Sequence, residues 1–225
     1  KFDKNIVKNY GALRSCFWGD FGKKLYQKKI NILNKKFGNY ILIVSNFPTY
    51  NSYVGKNKLK ELQVNFRGYD PNQPDLLHNN EKKIFNQYVK LAKILSKQLN
   101  KTVIIRPHPG ESLKGWKESI RDLKNVFVEK EGELLTWILG SDFIIQNNCT
   151  SAIEASASNI PVITYVDDKK DLTILSEGTE NIPNKLSLNT FGEEKFIETV
   201  KNINLFWNED KKKHLREIIL NKKLK

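Results

Sequence analysis

The sequence predicts an α/β fold: a single Rossmann-like domain with a parallel sheet flanked by helices, preceded by a lead-in helix and followed by a C-terminal helix. Three observations carry this expectation. From residue 40 onward, short runs rich in β-branched residues alternate with segments of helical periodicity, the pattern of successive βαβ units. The 225 residues are 39% hydrophobic and 28% charged, which suits a folded globular chain of one large domain with extensions. Finally, the polar clusters follow the strand-like runs, as they do where ligands bind beyond the carboxyl ends of a parallel sheet.

Taken in order, residues 1–39 read as a linker and lead-in helix, 40–205 as the Rossmann-like domain and 206–225 as a basic C-terminal helix. In the lead-in, Leu25, Tyr26, Ile30, Leu33 and Phe37 suit one helix face, and Gly38 suits its C-terminal cap. Residues 40–45 form the first expected strand. Residues 46–80, rich in Asn, Pro, Gly and Tyr, read as a long excursion before the return helix. That helix, 81–99, repeats apolar residues at Phe85, Tyr88, Ala92, Leu95 and Leu99. Further strands are expected at 102–106, 125–128, 142–146 and 161–166, and further helices at 133–139, 150–158, 193–203 and 211–220. Leu134, Trp137 and Ile138 have helical spacing and read as core. The tail helix, with Leu215, Ile218 and Ile219 beside its lysines, reads as packing against the body, a membrane surface being the alternative.

Composition narrows the partners. The net charge of +13 resides at the ends: residues 1–40 carry ten Lys/Arg against two Asp, and 211–225 carry seven against one Glu. Residues 41–210 hold 21 basic and 22 acidic groups, so the centre is balanced and no nucleic-acid partner is expected there. No run of about 18 apolar residues could span a bilayer, and the start, Lys1-Phe2-Asp3-Lys4, lacks the apolar core of a signal peptide. A cytoplasmic location is expected, with peripheral contact at the inner face of the membrane. The chain has no methionine, and an N-terminal portion is expected to lie outside it. Cys16 and Cys149 form no CxxC, which supports neither a disulfide framework nor a zinc site.

The most informative motif is Arg106-Pro107-His108-Pro109-Gly110-Glu111, directly after an apolar run. Proline fixes its own φ and pushes the preceding residue toward extended backbone, so Arg106 and His108 sit on a stiff strand end. A rigid, cationic strand end suits an anion: the His108 ring would donate to a phosphate oxygen, aided by Arg106. A second polar turn, Asn147-Asn148-Cys149-Thr150-Ser151, runs into the helical Ala152-Ile153-Glu154 and would offer backbone N–H groups, hydroxyls and a helix dipole to a phosphate. Ser151 to Glu154 is also an S-x-x-E capping box, which would only start a helix. His108 could likewise be a structural histidine. Glu129-Lys130-Glu131 reads as a charged loop rim. No Asp-x-Asp motif for a divalent ion occurs, and no metal or cofactor is expected. Cys149 has no orienting acid that would make it a nucleophile.

The order strand, RPHP, strand, helix, polar turn, TS-x-x-EA and PVI resembles the C-terminal, nucleotide-binding half of GT-B glycosyltransferases that build bacterial surface polysaccharides. Related groups are the surface carbohydrate biosynthesis proteins, capsular Kdo transferases, bacterial sialyltransferases with an HP motif and glycerophosphotransferases of teichoic-acid synthesis. The resemblance covers roughly residues 40–190, and Gly11-Ala12-Leu13-Arg14 is similar to a degenerate Gly-x-Pro-Arg linker element. It implies that Arg106, His108, Pro109 and Glu111 line the donor's phosphates and base, that Thr150 and Ser151 bind phosphate beside Asn148, and that Glu154 binds a ribose hydroxyl. Asn46 and Phe47 would occupy the loop facing a missing N-terminal GT-B domain, and Asp167-Asp168 would lie near the donor sugar. Asn148-Cys149 departs from the Asp-Tyr-Ser or Asn-Ser of such families, which counts against a glycerophosphotransferase. The implied function is transfer of a sugar, from a CMP-activated acidic donor, to a surface-glycan acceptor without a metal. The alternatives are a CDP-glycerol-type polyol phosphate transferase, a UDP-sugar 2-epimerase-like enzyme and a non-catalytic polyanion-binding module that uses the basic ends.

Overall fold

The computed structural model describes residues 13–172 and 181–220. Gly11 and Ala12 of the linker element and residues 221–225 of the basic tail lie outside the described residues. Six strands, β1 (Tyr40–Val44), β2 (Thr102–Arg106), β3 (Val126–Val128), β4 (Phe143–Gln146), β5 (Val162–Val166) and β6 (Leu188–Phe191), form one parallel sheet in the order β3-β2-β1-β4-β5-β6. The central strands are apolar runs because both of their faces are covered: every residue of β1, β4 and β5 is buried. Their side chains alternate between two cores. Ile41, Ile43, Val103, Ile105, Ile145 and Ile163 face one core, and Leu42, Ile104, Ile144 and Val162 the other.

The helices form the outer layers. The first core is closed by α3 (Gln73–Lys93) through Ile84, Phe85, Tyr88 and Leu91, by Trp116 of α4 (Leu113–Ser119), and by Phe196 of α8 (Glu193–Lys201). The second is closed by α5 (Leu134–Gly140), by α6 (Ser151–Ala157), by Phe37 of α1 (Asp20–Phe37), and by Leu215 of α10 (Glu209–Leu220). The lead-in helix therefore lies on the body, Ile30 packing against Leu135 and Leu139. Gly38 ends α1 at φ 69°, and its N–H reaches the Asn34 carbonyl at 2.9 Å. The tail helix packs back as well. Among the described residues no helix is long and apolar enough to cross a membrane.

The segment 46–80 departs from the expected excursion. It holds α2 (Lys56–Arg67), bracketed by Gly55 and Gly68 at φ 82° and 68°, and α3 already begins at Gln73. After Lys93, α3 widens into a π-helical turn, Ile94–Gln98. The expected helix 193–203 breaks at Asn202 into α8 and α9 (Ile203–Phe206). The short α4, α7 (Ile182–Lys185) and β6 were not expected, because four to seven residues show too little of a period to read.

Because the chain winds outward from β1 to β3 and then returns to β4, the βα loops on either side of the β1–β4 boundary run in opposite directions. That boundary is the topological switch point of a doubly wound sheet, where ligands bind beyond the carboxyl ends.

Candidate functional site

Two asparagines form the switch point. The Asn46 N–H donates to Asn147 Oδ1 at 2.9 Å, and Asn147 Nδ2 donates to the Asn46 carbonyl at 2.9 Å, a reciprocal clamp between the β1 and β4 loops. Asn46 Nδ2 adds a 3.3 Å bond to the Asn148 carbonyl. The turn after β4 is shaped from within by buried Gln146, whose Oε1 accepts the Cys149 N–H at 2.7 Å while Nε2 donates to Thr164 Oγ1 and Ser187 Oγ. Asn148 takes φ 50°, a left-handed geometry asparagine tolerates, and its Oδ1 accepts from Asn181 Nδ2. A polar turn is therefore needed here for structure alone.

At its end α6 starts with Thr150, exposed, in the N-cap position and making no side-chain cap bond. The expected capping box does not form, since Ser151 is already inside the helix. Its Oγ is buried without a hydrogen-bond partner among the described residues. Glu154 lies one turn further on and is buried.

On the other side of β1, the RPHPGE segment is held by Glu111, which is 1% exposed. Its Oε1 accepts from Ser45 Oγ at 2.8 Å, from the Phe47 N–H at 3.1 Å and from the His108 N–H at 3.0 Å. Its Oε2 accepts from Trp116 Nε1 at 2.7 Å and Asn51 Nδ2 at 3.3 Å. Five donors converge on one carboxylate, joining the β1 and β2 loops into a single body. Glu111 thus acts through its neighbours, its oxygens being engaged inside the protein.

That body presents His108 outward. The Gly110 N–H donates to His108 Nδ1 at 3.0 Å, so Nδ1 must carry a lone pair and the neutral ring carries its hydrogen on Nε2. The exposed ring therefore offers an N–H donor. Exposed Pro109 follows, and its carbonyl accepts from Lys130 Nζ at 2.9 Å. His108 and Gly110 line a cavity of about 280 Å³ with segment 48–54 and α2.

Two expected residues point elsewhere. The Arg106 guanidinium lies on the second-core side, where Nη2 donates to the Gly132 carbonyl at 2.8 Å, Nη1 donates to the Glu131 carbonyl, and the group stacks 5.3 Å from the Trp137 ring centre. Burial lowers its pKa from the ordinary value, the Glu129 charge opposing. It organises the 129–133 loop. The Phe47 ring is wholly buried, with centroids 5.5 Å from both Phe85 and Tyr88. Beyond β5, the Asp167 carboxylate accepts from Tyr165 Oη, and Asp168 Oδ1 accepts from the Lys170 N–H at 3.0 Å.

The structure thus brings Asn46, Asn148, Thr150 and Ser151 to the switch point and His108 and Pro109 to the adjacent loop. The loops after β2 and β4 flank that of β1, two strand spacings or roughly 10 Å apart. Sequence reasoning missed the residues of α2 beside His108. The available signal was Gly55 and Gly68 bracketing Leu59, Leu62 and Phe66 at helical spacing.

No protein-family model matches the chain, and no curated protein matches it. Among solved structures it is similar to the UDP-GlcNAc 2-epimerase of Methanocaldococcus jannaschii, in complex with UDP-GlcNAc and UDP, at 14% identity and a TM-score of 0.41. The match covers 88% of this chain and 50% of that one, so this chain spans about half the length of that protein.

Proposed function

We propose that this chain is the donor-binding half of a glycosyltransferase of GT-B type, moving a sugar from a nucleotide-activated donor to a surface-glycan acceptor. The observation that carries the reading is the pairing of a doubly wound switch point with an outward Nε2–H donor on a rigid loop beside it. The span between the two loops suits the diphosphate or monophosphate of a nucleotide, with His108 on one side and Thr150 and Ser151 on the other.

In this scheme the bond between the anomeric carbon and the donor phosphate oxygen breaks, and its electron pair leaves on the nucleotide. His108 Nε2–H donates to that developing charge, a stabilisation greater in the transition state than in the bound substrate. The acceptor hydroxyl oxygen forms the new bond to the anomeric carbon and loses its proton to a base on a partner domain facing Asn46. Thr150 would hydrogen-bond the phosphate and Glu154 a ribose hydroxyl. Arg106 would contribute by fixing the loop after β3.

The test is calorimetric titration with CMP, CDP, UDP and GDP. At least one should bind, and His108→Ala should weaken it by about tenfold or more, the worth of one charged hydrogen bond. Failure of all four to bind overturns the donor site. With the complete enzyme, free nucleotide should accumulate as glycan lengthens. A nucleotide-sugar converted to its isomer without nucleotide release would make it an epimerase.

A further inference from the structure

The tail helix turns Leu215 into the second core, whereas α1 carries apolar residues on two faces. Ile30, Leu33 and Phe37 pack on the body, but Phe21, Leu25 and Ile32 are 59, 54 and 67% exposed. At about 100° per residue these three side chains fall within roughly 40° of one another, about a third of a turn from the buried face. Phe17 is exposed as well and extends the stripe at its N-terminal end, its ring centre 6.3 Å from that of Phe21. The solvent side of a helix packed on a globular body is ordinarily polar, so packing does not explain this second stripe.

Charge indicates what covers it. The helix α1 holds six lysines against one aspartate. Helical spacing sets Lys24, Lys28 and Lys35 along one side of the stripe and Lys29 and Lys36 along the other. The first three are exposed and form no ion pair with any described residue, while Lys29 and Lys36 reach Glu133 and Glu129 of the loop after β3. Lysine is depleted where proteins dock on one another, and a polyanion gains nothing from an apolar stripe. A narrow apolar stripe between two rows of lysines suits a helix lying in a membrane interface, its apolar side chains buried about 5–10 Å and its ammonium groups among the headgroups. Beside the stripe, Ile32, Leu33 and Trp137 line a cleft of about 280 Å³ between α1 and α5, which adds apolar surface for an acyl chain.

We infer that the exposed face of α1 is a docking surface for an anionic lipid bilayer. This goes beyond the donor-site reading and is independent of it, since none of these residues belongs to the loops after β1, β2 or β4.

The test is flotation of the full chain with vesicles of phosphatidylcholine alone and of phosphatidylcholine and phosphatidylglycerol in equal parts. Binding to the anionic vesicles should be tighter by at least about tenfold, since each lysine close to an anionic surface contributes roughly fivefold. Changing Lys24, Lys28 and Lys35 together to Gln should weaken that binding by about a hundredfold. Phe21→Ser, Leu25→Ser and Ile32→Ser combined should weaken it by at least about tenfold. All six positions are exposed, so both variants keep the core intact. Leu25→Trp should gain fluorescence that brominated acyl chains quench, which adsorption by charge alone does not produce. Equal binding to both kinds of vesicle, no binding to either, unchanged binding in either triple variant, or no quenching of Leu25→Trp overturns the inference. Sedimentation equilibrium covers the other occupant: a dimer that the serine variant dissociates would make this face a contact between copies and overturn the bilayer. Nucleotide titration reads the donor site separately, so vesicle binding without nucleotide binding removes the donor reading alone, and the converse removes the docking surface alone.

Discussion

Glu111 is the residue on which the site depends most, although its oxygens face inward. Truncation to Ala would strand five donors from the loops after β1 and β2 and from α4, and each buried donor without a partner costs about 1–3 kcal/mol, less where neighbours relax. Glu111→Ala should therefore lose about 3–5 kcal/mol in urea unfolding, and Glu111→Gln should also destabilise because its Nε2 would face donors. His78 supplies a pH response nearby. Burial lowers its pKa from the ordinary 6.5, while its bond to the Thr49 carbonyl and the charge of Asp75 oppose. A histidine depressed in the folded state binds fewer protons there than in the unfolded chain, so its contribution is lost as pH falls through the ordinary value. Urea midpoints should drop more between pH 7.5 and 5.5 in the parent than in His78→Gln; equal drops would rule out His78 as the source. At this scale the sequence was legible in type and misread in direction. Arg106 was recognised as a strand-ending cation, but strand alternation turns it toward Trp137, and which face a terminal strand residue takes depends on the register of the whole sheet.

At the scale of elements, the strands were legible because a buried parallel strand has to be a continuous apolar run, and β1, β2, β4 and β5 are such runs. The return helix was legible through Phe85, Tyr88, Ala92 and Leu95, all of them buried. Hidden from that kind of reading were elements too short to show a period, of four to seven residues. The short helix α4 is one, and Gly115 shows why it fits: a Cβ there would lie 2.1 Å from Asn51 Oδ1. Asn51 Nδ2 donates to Glu111 and to the Ser112 carbonyl, so moving it breaks two bonds of the body that carries His108. Replacing glycine in a helix interior gains up to about 1 kcal/mol in propensity, less than the roughly 1–3 kcal/mol of a displaced buried partner. Gly115→Ala should therefore be destabilising, and the same change should become neutral or stabilising in an Asn51→Ala background. A double-mutant cycle by urea unfolding measures this, and additivity of the two changes would show that the close approach is not what fixes glycine there.

For the molecule as a whole, charge is the property that sequence alone defines and the fold distributes. The net charge is +13, and lysines 24, 28 and 35 lie exposed along α1, away from the core. Self-repulsion of that size favours the expanded chain, while the described surface ion pairs favour the folded one. Both weaken with salt, so the direction of the response depends on which is larger. The ion pairs are largely exposed, such as Lys29 with Glu133 and Lys195 with Glu198, and exposed pairs contribute only about 0–1 kcal/mol each. Repulsion acts among many unpaired lysines over distances comparable to the Debye length, which contracts from about 30 Å at about 0.01 M salt to about 8 Å at about 0.15 M. Screening should therefore remove more repulsion than attraction, and the melting temperature should rise with sodium chloride over that range. Reversing Lys24, Lys28 and Lys35 to Glu should raise the melting temperature at low salt and flatten its dependence. A melting temperature that falls with salt in the parent chain would mean that the ion pairs of the sheet domain outweigh the repulsion of its basic ends.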